Sequence, residues 1–202
     1  MDEQTLIQDA LDGNLNAFNS LVLHYQDIAY NVAYRIMGEH DAAGDASQEA
    51  FISAYQKLHQ YRGGSFKAWL LRIVTNACYD ELRRRQRRPV SPLKPEMDDG
   101  EMLEDPSWIE DDAPSPEKQV EESELQKAIQ KCINHLEDKF RMVLVLVDVE
   151  GLDYETASKT LGSPLGTIKS RLARARERVQ GCLQKFRELL PEVFRLKDEE
   201  TS

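Results

Sequence analysis

Gly151 to Val179, GLDYETASKTLGSPLGTIKSRLARARERV, decides how this chain is read. The stretch predicts two helices joined by a tight turn. Asp153 is placed to cap the first helix and Leu161-Gly162 to end it. Ser163 is then expected to cap the second helix, with Pro164 at the first helical position, where a missing N–H costs nothing. Along that second helix Leu165, Ile168, Leu172, Ala175 and Val179 recur at spacings of three and four, which predicts one buried face. Lys169, Ser170, Arg171, Arg174, Arg176 and Arg178 fall outside it. A helix apolar on one side and cationic on the other, set behind a short helix, suits the major groove of DNA.

The overall charge balance runs against such a role. The chain has 202 residues and a net charge of −10. The charge is localised, however. Between Glu96 and Glu124 there are thirteen acidic residues and one lysine, so that this stretch alone carries −12 and the remainder +2. Within that remainder, Arg62–Arg88 and Pro164–Arg187 are strongly basic. Two basic-faced parts joined by an acidic strip are expected.

Hydrophobic residues make up 41% of the chain, enough for one or two small cores. The longest apolar run, Met142 to Val147, is too short to cross a bilayer, so membrane insertion is not expected. The acidic N-terminus lacks the apolar core of a signal peptide, and the expected location is the cytoplasm. Cys78, Cys132 and Cys182 are far apart and form no CxxC pair. Three reduced, mostly packed thiols and no metal site are expected, and no cofactor.

Apolar spacing is helical almost throughout, so an all-α fold is predicted. A short helix is expected over Thr5–Leu11, then a long one capped by Asn14 and ended by Gly38. Asp41 is the expected cap of a third helix running to about Gln60. A fourth runs from Phe66 to about Arg85, after the break at Arg62-Gly63-Gly64-Ser65. Helices resume near Glu117. Between them the proline-rich acidic stretch reads as a flexible linker, with Trp108-Ile109 an isolated apolar pair inside it. The expected organisation is a helical unit over 1–88, a linker over 89–116, a second helical unit over 117–190 and a tail over 191–202.

A second segment, DASQEAFISAYQKLHQY (45–61), places Asp45, Gln48, Glu49, Ile52 and Gln56 on one helix surface, beside an apolar face that includes Phe51. It is followed by Tyr61-Arg62-Gly63, Phe66, Trp69-Leu70, Arg72-Ile73 and Asn76. Together these resemble region 2 of an extracytoplasmic-function (ECF) bacterial RNA polymerase sigma factor. Arg141, Glu150-Gly151, Tyr154, Leu161-Gly162, Pro164-x-Gly166-Thr167, Ser170-Arg171-Leu172 and Arg174-Ala175-Arg176 resemble region 4 of the same family, in the family's order.

That resemblance implies two small helical domains and three contact surfaces. Asp45, Gln48, Glu49 and Phe51 would grip core RNA polymerase. Tyr61, Arg62, Trp69, Leu71, Arg72, Ile73, Asn76, Arg83 and Arg84 would read and open the −10 promoter element. Thr167, Lys169, Ser170, Arg171, Arg174 and Arg176 would face the −35 element, with Arg176 and Arg178 further round and open to phosphate or intramolecular partners. The residue types suit these roles. An Asn76 amide can donate to and accept from a base edge, and arginine can bond guanine O6 and N7 together. The Arg83–Arg88 cluster suits phosphates. Trp69 sits at core spacing with Ile73 and reads as packing ahead of a stacking platform.

The implied partners are core RNA polymerase, promoter DNA and an inhibitory anti-sigma factor. No small-molecule substrate is expected, because the sequence has no P-loop, HExxH or GxSxG and no enzyme is implied. An autonomous helix-turn-helix regulator and a sigma-like interaction decoy remain the alternatives. Two departures from the family pattern carry expectations of their own. Small residues at Ala157, Ser158 and Thr160 predict a thin core or close helix packing. Leu136-Glu137 predicts a soft boundary before the next helix.

Overall fold

The Asn14 side chain accepts hydrogen bonds from the backbone N–H groups of Asn16 and Ala17, and so fixes the start of the longest helix. The computed structural model describes residues 2–87 and 116–191. In chain order its helices are α1 (Glu3–Leu11), α2 (Leu15–Met37), α3 (His40–Lys57) and α4 (Phe66–Arg87), then α5 (Pro116–Asn134), α6 (Asp138–Leu144), α7 (Tyr154–Leu161) and α8 (Leu165–Leu183). There is no strand among the described residues. The expected linker, Trp108-Ile109, Arg88 and nearly all of the expected tail lie outside them.

Gly38 ends α2 at φ +78°, and its N–H bonds to the Tyr34 carbonyl. The next helix starts two residues earlier than expected. Glu39 occupies the cap position without a side-chain hydrogen bond, and Asp41 lies inside the first turn. A 3-10 turn over Leu58–Gln60 closes α3.

The cluster under α1–α4 holds Phe18, Leu21, Tyr25, Val32, Ile36, Phe66, Leu70 and Val74 among its buried members. Along α3 the buried positions are mostly alanine (Ala42, Ala43, Ala46, Ala50 and Ala54), so α3 can lie close against α2 and α4. A second cluster joins α5, α6, α7 and α8 through Ile133, Phe140, Val143, Ala157, Ile168, Leu172 and Ala175. Ala157 and Thr160 are both buried, so the small residues of α7 give close packing. Val179 is only partly buried, and Leu165 is 37% exposed rather than part of the expected apolar face.

The two clusters touch. Beyond α6 the chain continues through a π-helical turn, Val145–Val149, and Met142, Val145 and Leu146 are buried in the first cluster. The buried Arg141 guanidinium closes this junction. It donates to the Ile36 carbonyl at 2.6 Å, and to those of Ile133, Asn134 and Leu136 at 3.2, 2.8 and 2.9 Å. The boundary at Leu136-Glu137 is therefore sharp, because one side chain satisfies the carbonyls that end α5. Lys67 adds a salt bridge to Glu150 at 3.0 Å.

The expectation of three reduced thiols is corrected. Cys132 and Cys182 form a disulfide between α5 and the end of α8, whereas Cys78 is a free, buried thiol. The two sulfur atoms meet because α5 and α8 pack side by side, a fact that sequence spacing does not contain. Burial pushes the Cys78 thiol up to about 12.

Candidate nucleic-acid and polymerase interfaces

On α3 the exposed residues Asp45, Gln48, Glu49, Ile52 and Gln56 share the outer face, with Phe51 partly buried at its edge. Asp45 and Glu49 line a groove between α3 and α4 of about 600 Å³, which Asn76 and Arg84 also line. Gln48 and Phe51 line the opposite groove, against Val22 and Tyr30 of α2. The outer face of α3 thus combines carboxylates, amides and an exposed isoleucine, a composition suited to an interface that forms and later releases.

On α4 the expected −10 residues separate by face. Arg72, Asn76 and Arg83 are exposed, and Trp69 is half-buried beside them, so that all four occupy one side of the helix. Trp69 packs edge-on against Tyr61, at 5.6 Å between ring centroids, and against Phe66 at 5.3 Å. It braces the loop more than it offers an open ring face. The Tyr61 hydroxyl donates to the Gly64 carbonyl at 2.6 Å, and Arg62 donates to the His59 carbonyl at 3.1 Å. Gly63 and Gly64 both take positive φ there, a conformation that other residues resist.

Three expected −10 residues point elsewhere. Leu71 is 0% exposed and Ile73 is 9% exposed, because α4 is packed against α2, α3 and α7 together. Neither side chain reaches solvent as a DNA contact would require. Arg84 leans toward α3 and bonds the Glu81 carboxylate at 2.7 Å. Arg85 bonds the same carboxylate as well as Glu39. The hydrogen bond from Arg84, and then that from Arg85, holds Glu81 below the usual carboxylate range.

The helix-turn-helix is built as expected in its first half. Asp153 Oδ1 accepts from the Thr156 N–H at 2.8 Å, and Gly162 ends α7 at φ +57°. The second cap differs. Pro164 itself takes the extended cap position, with Leu165 as the first helical residue. The Ser163 hydroxyl instead donates to the Leu161 carbonyl and accepts from Arg171 Nη1 at 3.3 Å.

Lys169, Ser170 and Arg174 are exposed along α8, and Thr167 and Arg171 are half-buried. Arg176 does not extend freely. It forms a two-pronged ion pair with Asp148, with Nη2–Oδ1 at 2.6 Å and Nε–Oδ2 at 2.8 Å. Arg178 bonds Glu137 at 2.8 Å and lies over the Phe140 ring. Sequence reasoning missed Asp148, Glu137 and the Ile36 carbonyl as partners. Only their positions across the fold reveal them.

Two exposed faces and a cationic helix behind a short one, all helical and in this order, suit a two-part nucleic-acid-binding protein. Comparison with known proteins gives the class its family. Residues 21–88 match the model of Sigma-70 region 2, and residues 126–179 match that of Sigma-70 region 4. The RNA polymerase sigma-H factor of Pseudomonas aeruginosa is 35% identical over 187 residues, which cover 90% of this chain and 94% of that protein. The ECF RNA polymerase sigma factor SigE of Mycolicibacterium smegmatis is 37% identical over 169 residues, 84% of this chain but 62% of that longer protein. Among solved structures, the sigma factor RpoE from Bartonella quintana, in complex with the anti-sigma factor NepR, superposes with a TM-score of 0.62 at 25% identity, covering 83% of this chain and 96% of that one.

This chain belongs to the ECF RNA polymerase sigma factors. Such proteins are not enzymes; they bind core RNA polymerase and promoter DNA and direct promoter-specific transcription initiation. No described helix is long and apolar enough to cross a membrane.

Proposed function

We propose that the three faces divide the work of initiation in the cytoplasm. The outer face of α3, with Asp45, Gln48 and Glu49 and with Phe51 behind it, docks on core polymerase. The exposed side of α4 engages the −10 element. Asn76 meets a base edge there, Arg72 and Arg83 meet backbone phosphates, and Trp69 supports the Tyr61–Ser65 loop that receives an unstacked base. Thr167, Lys169, Ser170, Arg171 and Arg174 on α8 meet the −35 element. Residues 1–88 and 117–190 act as the two modules, and residues 89–116 act as the tether between them.

The observation that carries this reading is the sorting of α4. Arg72, Asn76, Asp80 and Arg83 face solvent on one side together with Tyr79, whose ring lies under the Arg83 guanidinium, whereas Leu71, Val74 and Cys78 are turned inward. Inhibition by an anti-sigma factor is part of the same reading. Its support is the likeness to a sigma factor solved with such a partner.

Run-off transcription with core polymerase, with and without the full chain, tests the proposal. New start sites with shared −10 and −35 elements are expected. Asn76→Ala is expected to abolish initiation at them while polymerase binding is retained. DNA binding without polymerase, and no new transcripts with it, would favour the autonomous regulator.

A further inference from the structure

Along α8 every third or fourth residue shares a side, so Lys169 and Arg176, seven apart, lie on one flank. Lys169 Nζ lies 5.8 Å from the centre of the Tyr154 ring, and Arg176 lies two turns further along. An arginine there is placed to meet the DNA backbone as the recognition helix leaves the groove. Instead, both of its guanidinium prongs are taken by Asp148, at 2.6 and 2.8 Å. Arg174, by contrast, has no carboxylate partner among the described residues.

Asp148 stands in the π-helical turn Val145–Val149, on a different element from the helix it engages. The pair is accessible to solvent, with the Asp148 side chain 28% exposed and that of Arg176 54% exposed. Burial of a charge therefore does not explain the contact. Hydrogen bonding to Asp148 raises the Arg176 pKa still further, so the guanidinium remains charged at every working pH. A fork-on-fork pair uses the same two N–H directions that would grip a phosphate. A phosphate must displace a carboxylate that is tethered beside the arginine. The pair also has no net charge, so it releases no counterion from DNA.

We propose that Asp148 masks Arg176 and so subtracts one phosphate contact from the recognition helix. The −35 interaction then depends more on base-edge contacts from the rest of α8 and less on sequence-independent attraction. Each phosphate neutralised steepens the log–log dependence of affinity on salt by about 0.9. Unmasking Arg176 therefore adds about that much to the slope. Between 200 and 50 mM salt the gain in affinity exceeds that of the native protein by about threefold. Phosphate contacts carry no sequence information, so the gain is the same on any duplex.

The inference rests on α8 being the −35-reading helix, and the test separates the two ideas. Holoenzyme made with the full chain is titrated onto a duplex carrying the mapped −35 element and onto one with that element scrambled, across a potassium chloride series. Native holoenzyme that does not distinguish the two duplexes overturns the assignment of α8, and the masking idea with it. Given discrimination, Asp148→Asn is expected to steepen the slope by about 1 on both duplexes. Asp148→Asn combined with Arg176→Gln is expected to return the native slope. Thermal melting checks that each variant is folded, and Asp148→Ser gives a second route to the same unmasking. An unchanged slope in Asp148→Asn overturns the proposal. A double variant one unit shallower than native also overturns it, because Arg176 would then already touch phosphate in the native protein. A gain confined to the −35 duplex overturns it too, because that would be a base contact.

Discussion

Replacing Arg141 by methionine keeps much of the apolar stem and removes the guanidinium that joins the two halves. In the native structure the group is buried and serves four carbonyls, those of Ile36, Ile133, Asn134 and Leu136. Ile133 keeps a second partner, the Leu136 N–H at 3.0 Å. The other three carbonyls lose the donor that Arg141 supplied. An unsatisfied buried polar group costs about 1–3 kcal/mol, so a total loss of about 3–5 kcal/mol is expected. The loss has two parts. The Asn134 and Leu136 carbonyls belong to the α5–α6 corner, and their share weakens the C-terminal half itself. The Ile36 carbonyl ends α2, and its share, about 1.4 kcal/mol, loosens docking of the two halves about tenfold. Urea denaturation followed by far-ultraviolet circular dichroism reads the sum. Hydrogen exchange at Gly38 and Met37 reads the docking share. A loss below about 1 kcal/mol would refute the reasoning, because it would mean that water satisfies these carbonyls as well as Arg141 does.

Reducing the Cys132–Cys182 disulfide, which spans a sequence separation of 50, removes a constraint on the unfolded chain worth about 4 kcal/mol by loop entropy. A lower melting temperature for the C-terminal half in reductant, matched by Cys132→Ser, is the expected result. Gly38→Ala places a residue with a side chain at φ +78°, with its Cβ 2.6 Å from the Asn134 amide. It is expected to destabilise the chain, and Asn134→Ala in the same chain is expected to recover part of the loss in a denaturation midpoint. The backbone N–H of Thr156, and then its hydroxyl, hold the Asp153 carboxyl below its usual range. That contribution is complete above the ordinary aspartate pKa, near 3.9, and is lost as the pH falls through the lower folded value. Asp153→Asn is therefore expected to flatten the acid limb of stability below about pH 4, as read from denaturation midpoints.

What the sequence revealed was local chemistry. Asn14, Gly38, Asp153 and Gly162 act within three or four residues of themselves, and each caps or ends its helix where the pattern placed it. The exposed stripe Asp45–Glu49–Ile52–Gln56 was legible for the same reason, since helical periodicity alone decides which residues share a side. Apart from the shifted caps of α3 and α8 and the Arg84–Glu81 pair, the departures depend on partners distant in sequence. Leu71 is covered because α4 has neighbours on three sides, which its own periodicity does not record. Arg176 is engaged from 28 residues away, and Arg141 reaches a carbonyl 105 residues away. The disulfide is of the same kind. Charge pattern left Arg176 open between a phosphate and an intramolecular partner, because a cation on a recognition helix is unpaired until the fold supplies a carboxylate.

The docked arrangement has a consequence for the order of events in the proposed function. α4 packs on α7, and α7 packs on α8. With helix axes 8–10 Å apart at each step, the helix assigned to the −10 element and the helix assigned to the −35 element lie about 20 Å from one another. Elements centred about 25 base pairs apart are separated by about 85 Å along B-DNA, at 3.4 Å per base pair. A tight bend in the DNA does not close that gap at a cost these contacts could offset. Both helices can engage one promoter only after the α5–α8 half leaves α2 and α4. The Arg141–Ile36 hydrogen bond, the Lys67–Glu150 salt bridge and the burial of Met142, Val145 and Leu146 must then be given up together. Polymerase and promoter must bind the separated form more tightly by at least that free energy, and a partner that binds the docked form shifts the balance back by its own differential affinity.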